Sequence, residues 1–289
     1  MELQKFWEST LTELGEVPMD VSITENPVKS NREYTTYDIE LTSFENAKLA
    51  GWYSVPNHTG NRKLPGVLAV PGYGGVKEIP TILPSTGFAV LTLFPRAQGL
   101  SEKFWKLENT TKLTHRLDDK FHYYYRGAYM DCIRGLDFLC SRPEIDQDKL
   151  GMWSRSQGGG FTLATAALDD RLKAAVAEEP FLCNYNLSKT LTSKPYLELN
   201  DYLKQNPDLE GQSMETLGYF DPLNLVQWIN CPTLVNVGLK DEVCPIETVQ
   251  PVFDNIPTQK SLVVYPDLPH SPCFEFNNLA LGWLNTHLN

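Results

Sequence analysis

The chain has 289 residues, 42% of them apolar and 21% charged, and a formal net charge of −11. That length suits one large α/β domain over residues 1–289, while the acidic balance and the lack of a membrane-length apolar stretch exclude nucleic acid and membrane as partners. Residues 1–8 contain no basic segment leading into an apolar core, and the six cysteines show no CxxC spacing; both point to reduced thiols in the cytoplasm.

Leu3, Phe6, Trp7, Leu11 and Leu14 recur at helical spacing and predict an amphipathic helix docked on the main body. Tyr37 to Leu41 and Leu49 to Val55 alternate like strands around Ser43-Phe44-Glu45-Asn46, so an antiparallel hairpin at a sheet edge is expected. Helix and hairpin make an N-terminal extension over about residues 1–60. From Gly66 the pattern turns to short, continuously apolar runs, the signature of strands buried on both faces of a parallel sheet. Gly66 to Val70 and Phe88 to Phe94 are two such runs, and Tyr124 to Cys140 is a helix closed by Pro143.

Leu150 to Trp153 is the next strand, Gly159 to Leu168 the next helix, and Ser154-Arg155-Ser156-Gln157-Gly158 lies between them. Strand, tight turn and helix with a serine at the tip resemble the nucleophile elbow of α/β-hydrolases, which exposes the serine oxygen above a helix N-terminus. The usual Gly-x-Ser-x-Gly carries Ser154 in its first position here. Further strands are expected at Leu172 to Val176, Thr233 to Val237 and Ser261 to Tyr265, completing a doubly wound, mostly parallel sheet. The stretch at about 181–228 is too long for a simple connection and reads as a helical insertion.

A serine hydroxyl becomes a useful nucleophile when a histidine takes its proton and a carboxylate orients that histidine. In α/β-hydrolases the acid and then the histidine follow the serine, each on a loop after a later strand. Asp241 follows the strand ending at Val237, with Glu242 as its close competitor; His270 follows the strand ending at Tyr265, and His287 reads as a surface residue. An oxyanion needs backbone donors, expected from Gln157 and from Tyr73 in Pro71-Gly72-Tyr73-Gly74-Gly75. Phe181, Tyr185 and Trp105 are assigned as aromatic walls of the substrate pocket.

With these residues in place, the chain resembles the acetyl xylan esterase/cephalosporin C deacetylase group, carbohydrate esterase family seven, over nearly its full length. The resemblance rests on Phe6-Trp7, Pro71-Gly72-Tyr73-Gly74, Tyr123-Tyr124-Tyr125-Arg126-Gly127, Ser156 to Gly160, Pro195 to Asn200, Tyr219-Phe220-Asp221 and Gly238 to Asp241. It implies removal of acetyl groups from small acetylated sugars or xylo-oligosaccharides, and from cephalosporin C-like acetate esters. Ser156 would be the nucleophile, His270 the base and Asp241 the orienting acid, with no metal or organic cofactor. It also implies a homo-oligomer, a hexamer with sites facing an inner cavity being the form it suggests. Three positions depart from the family pattern: Ala97 within Arg-Gly-Gln, Ser154 within the elbow, and Ser271 in place of the glutamate after the histidine.

Two other functions fit parts of the pattern. An acyl-peptide hydrolase or aminopeptidase could use the same elbow, although such enzymes usually carry a large N-terminal domain for which this chain has no room. A non-catalytic binding protein on the hydrolase scaffold is the other, disfavoured by the complete set of Ser156, Asp241 and His270.

Overall fold

The computed structural model describes residues 2–58, 60, 62–191 and 193–289. Helix α1 (Glu2–Gly15) docks through Phe6, Trp7 and Leu14, and the Trp7 indole N–H donates to the Tyr219 carbonyl at 3.0 Å. Strands β1 (Ser22–Glu25), β2 (Tyr34–Thr42) and β3 (Lys48–Pro56) form an antiparallel edge, joined by the turn at Phe44–Asn46. The hairpin β2–β3 is the one expected from alternation. Strand β1 is additional, and its four residues are all exposed, so it has no apolar rhythm to read.

The rest of the sheet is parallel: β4 (Leu64–Ala69), β5 (Ala89–Phe94), β6 (Ile145–Arg155), β7 (Leu172–Glu178), β8 (Thr233–Gly238) and β9 (Lys260–Tyr265). The nine strands lie in the order β1-β2-β3-β5-β4-β6-β7-β8-β9, with β3 antiparallel to β5. Helices α2 (Ile82–Ser85), α3 (Tyr124–Cys140) and α4 (Gln157–Leu168) link the central strands. The insertion folds as α5 (Tyr185–Ser188), α6 (Tyr196–Gln205), α7 (Glu210–Phe220) and α8 (Pro222–Leu225). Helices α9 (Ile246–Asp254) and α10 (Phe274–Leu288) finish the chain.

Successive strand residues point to opposite faces, and here both faces are covered, which is why the central strands lack polar alternation. Leu68, Leu91 and Val235 join the core under α1, α3, α4 and α9; their neighbours Val67, Val90 and Leu234 join a smaller one under α2 and α10. Both faces of β4, β5 and β8 are therefore buried and mostly apolar, with Thr92, Thr233 and Asn236 as the buried polar residues among them. No helix is long and apolar enough to cross a membrane among the described residues. His287, expected on the surface, is half-buried on α10 with its ring 4.7 Å from that of Trp283.

The loop after β5 is tied to α3 by a buried ion pair. Arg96 donates to Asp131 through its backbone N–H, Nε and Nη2, each at 2.9 Å, and Ser43 donates to the same carboxylate at 2.7 Å. The next residue, Ala97, is held at φ 53°, a left-handed conformation that costs an L-residue with a Cβ roughly 1–2 kcal/mol. Glycine removes that strain but gains backbone freedom in the unfolded chain, a loss of about 0.4–1 kcal/mol. Ala97→Gly is thus expected to raise stability by about 0.5–1 kcal/mol, read as a higher urea midpoint at unchanged slope; a lower midpoint would contradict the strain argument.

Candidate active site

The loops that matter leave the C-terminal edge of the parallel strands, where α/β sheets generally build their sites. Strand β6 ends at Arg155, and Ser156 follows at φ 58°, ψ −123° before α4 begins. A non-glycine residue held in that region marks a strained turn of the kind that presents a side chain at its tip. The turn closes tightly because Gly158 lacks a Cβ: one built there would stand 2.7 Å from Ser154 Cβ and 2.8 Å from the Val70 carbonyl oxygen. Ser154, in the position where glycine is usual, has its own task. Its Oγ accepts the Val70 backbone N–H at 2.9 Å and so pairs a buried donor just beyond β4 that would otherwise be orphaned.

Asp241 and His270 reach the serine from loops that are zipped together. The backbone N–H groups of Leu239 and Lys240 donate to the carbonyls of Tyr265 and Leu268, and a Cβ on Gly238 would collide with the Leu268 carbonyl. The result is a continuous relay: Ser156 Oγ lies 3.0 Å from His270 Nε2, and His270 Nδ1 lies 2.8 Å from Asp241 Oδ2. Asp241 is buried, and its Oδ1 accepts the backbone N–H groups of Val243 at 2.8 Å and Cys244 at 2.7 Å. Burial pushes its carboxyl up, yet the bonds from His270, Cys244 and Val243 outweigh it and hold the group below the ordinary carboxylate range. Glu242, the competing acid, is exposed and contacts Ser193 through its backbone carbonyl.

Asp241, Cys244 and His270 also bring donor atoms within 4.8 Å of one another, as a metal site would. Burial pushes the Cys244 thiol well up, which keeps the proton on it, and the inner nitrogen of His270 is already bonded to Asp241. The trio therefore suits proton transfer better than metal ligation.

Among the described residues no acceptor takes the backbone N–H of Tyr73 or of Gln157, the two donors expected for an oxyanion. Both residues are held from behind. The Tyr73 hydroxyl bonds Glu198 of α6, its ring meets Phe181 edge-on at 5.8 Å, and its carbonyl accepts the Lys112 ammonium at 2.9 Å. The Gln157 side chain accepts the Tyr125 hydroxyl at 2.9 Å. Glu198 lies inside the Pro195 to Asn200 run, so that motif is connected to the loop beside the serine.

Ser156 opens into a cavity of about 600 Å³ whose walls include Trp153, Ile79, Ile82, Pro272 and the charged Lys77 and Arg155. None of the three aromatic residues assigned as pocket walls lines it. Phe181 and Tyr185 are core residues, packed on Tyr196 at 4.3 Å and 6.3 Å between ring centres, because the chain turns inward directly after β7. Trp105 is exposed but belongs to a separate bay of about 410 Å³ with Phe104, Phe121 and His115. Besides Gly72 and the serine turn, the walls come largely from the segment 76–82 and from around the start of α10, neither of which carries a motif. Ser271, the residue after the histidine, makes only a long contact with the Pro269 carbonyl at 3.5 Å.

The acetyl xylan esterase (AXE1) family profile matches residues 1–287. Acetyl esterase Axe7A of Xylanibacter ruminicola is 28% identical over 293 residues, covering 98% of this chain and 66% of that protein. A 2,6-dihydropseudooxynicotine hydrolase of Paenarthrobacter nicotinovorans is 29% identical over 47% of this chain and 36% of its own length. This chain thus spans two thirds or less of these curated relatives. Two solved structures cover all of it: the acetyl xylan esterase from Paenibacillus sp. R4, 27% identical with a TM-score of 0.92 over 95% of that chain, and acetyl xylan esterase 1 from Thermoanaerobacterium sp. JW/SL YS485, 28% identical with a TM-score of 0.90 over 94% of that chain. The sheet order, the serine turn after β6 and a profile match from end to end agree: this chain has the α/β-hydrolase fold and belongs to the acetyl xylan esterase family.

Proposed function

We propose that the chain is a serine carboxylic-ester hydrolase that removes acetyl groups from small acetylated sugars or xylo-oligosaccharides through an acetyl-enzyme intermediate. The observation that carries this reading is the unbroken relay from Ser156 through His270 to Asp241, with contacts of 3.0 Å and 2.8 Å. His270 Nε2 takes the Ser156 proton as Oγ attacks the acetyl carbonyl, and the Tyr73 and Gln157 N–H groups receive the developing oxyanion. The histidine then returns the proton to the leaving alcohol, and water repeats the sequence to release acetate. Asp241 keeps the Nδ1 proton in place and balances the imidazolium. The acetyl preference is supported by family membership and by the names of the relatives, and cephalosporin C-like acetate esters extend the same chemistry to another alcohol.

Six free cysteines favour a reducing compartment, so we place the protein in the cytoplasm, and we propose a homo-oligomer on the family resemblance. The deciding experiment assays a panel of acetylated mono- and oligosaccharides beside acylated peptide anilides. Turnover of the sugar acetates at least about a hundredfold above the anilides is expected, since an ester and an amide differ in both leaving group and pocket fit. The reverse order would replace this reading with an acyl-peptide hydrolase.

A further inference from the structure

A second carboxylate stands at the inner nitrogen of His270. Glu179 directly follows β7, the strand between those that carry the serine and Asp241, and only 1% of its side chain is exposed. Its Oε2 lies 3.6 Å from His270 Nδ1 and accepts Arg155 Nε at 2.6 Å; its Oε1 is buried with no hydrogen-bond partner among the described residues. The backbone holds it there: Glu179 has φ 40°, and its N–H is anchored by both the carbonyl and the side-chain oxygen of Asn236 on β8. A strained backbone, a buried acceptor without a donor and a fixed counter-ion together form a built position, which a stray acid at a strand end would lack.

We infer that Glu179 is a positioning residue for His270, a reserve acceptor that adds negative charge beside the imidazolium and takes the Nδ1 proton's hydrogen bond when Asp241 cannot. This rests on the esterase reading above. In the resting arrangement the single Nδ1–H goes to Asp241, at 2.8 Å, so Glu179 acts through charge at the longer distance. Burial pushes the Glu179 carboxyl up, and Arg155, the residue before the serine, supplies the counter-charge that opposes that push. The other titratable groups facing Glu179 are Asp241, whose like charge opposes its ionisation, and the Cys244 thiol. Chain order alone supplies one acid for the histidine, whereas the sheet order brings two strand ends to the same nitrogen.

The test uses Glu179→Gln, Glu179→Asp, Asp241→Asn and the double variant Glu179→Gln/Asp241→Asn on the full chain. Each is assayed with a small acetate ester across pH and titrated with a serine-directed phosphonate. Glu179→Gln is expected to lower kcat/KM about tenfold and to move its acidic limb down by about half a pH unit, because the imidazolium loses a negative neighbour. Glu179→Asp keeps the charge and is expected to keep the limb where it is, so a simple packing defect is distinguished from a lost charge. The double variant is expected to fall at least about tenfold below Asp241→Asn, since no acceptor is then left for the Nδ1 proton. An unmoved acidic limb in Glu179→Gln, or a double variant no slower than Asp241→Asn, overturns the inference while leaving the esterase reading intact. Failure of the unaltered protein to take up the phosphonate overturns that reading itself.

Discussion

Replacing Ser156 with alanine is expected to reduce hydrolysis of a small acetate ester by roughly 10⁶-fold in kcat, with His270→Ala close to the same loss. The two losses match because the residues act as one device: without the base the hydroxyl stays protonated, and without the hydroxyl the base has nothing to activate. Asp241→Asn is expected to fall by about 10⁴-fold or less, the smaller figure applying where Glu179 can accept the proton in its place. A residual rate above that in water is expected after each change, because the proposed oxyanion donors, the Tyr73 and Gln157 amides, are left in place. The Ser156 hydroxyl contacts only His270 among the described residues, so removing it orphans no buried group and the thermal midpoint is expected to stay within about 1–2 °C. Undiminished turnover by a purified, folded Ser156→Ala protein would remove the serine from the mechanism. A large drop in midpoint would instead trace the lost activity to the fold.

The parts of this site that were legible in the sequence are those with local signatures. A buried strand, a serine with small residues two positions to either side and a glycine-rich helix start define a turn within one short stretch, and the close approach of Gly158 to Ser154 lies inside that stretch. Asp241 and His270 were legible from chain order, since loops after parallel strands converge on one sheet edge whatever their sequence. The pocket walls were not legible. Phe181 and Tyr185 follow β7, and the Phe181 backbone N–H even donates to the Ser156 carbonyl at 3.0 Å, yet the chain direction after β7 turns both rings into the core. Trp105 failed for a different reason: it is exposed, as a wall residue would be, but faces the bay beside Arg126. Glu179 was invisible because its role depends on the packing of β7 between β6 and β8, and sheet order is a property of the whole chain. Strand β1 lacked any signal, since a fully exposed edge segment needs no apolar rhythm to pair through its backbone.

Loss of Asp131 is expected to be the most damaging change to stability, at about 3–5 kcal/mol for Asp131→Ala. Its carboxylate takes four hydrogen bonds, three from Arg96 and one from Ser43, and both charged side chains are buried, at 8% and 0% exposure. Removing the acid leaves Arg96 with Glu45 at 3.2 Å, on the half-exposed side of the turn, and the Phe44 carbonyl at 2.9 Å. Neither replaces the lost charge, so a buried cation stays partly uncompensated. Since whole domains are stable by only about 5–15 kcal/mol, the loss is expected to appear as a clear fall in the urea midpoint. The consequence extends to the site through the chain itself. Arg96 leads into Ala97 and Gln98, and the loop that follows packs against Gly75, where a Cβ would stand 3.2 Å from the Gly99 nitrogen; Gly75 closes the turn that carries Tyr73. Asp131→Ala protein that remains folded is accordingly expected to lose kcat while its serine still reacts with a phosphonate, since the oxyanion turn shifts but the relay does not touch α3. Replacing both partners together, Arg96→Met with Asp131→Leu, separates charge from packing: it is expected to recover at least about half of the stability lost in Asp131→Ala, because no unpaired ion is left inside. If the double replacement is instead as unstable as the single one, the ion pair contributes through its hydrogen bonds to Ser43 and the turn rather than through the cost of an unpaired charge.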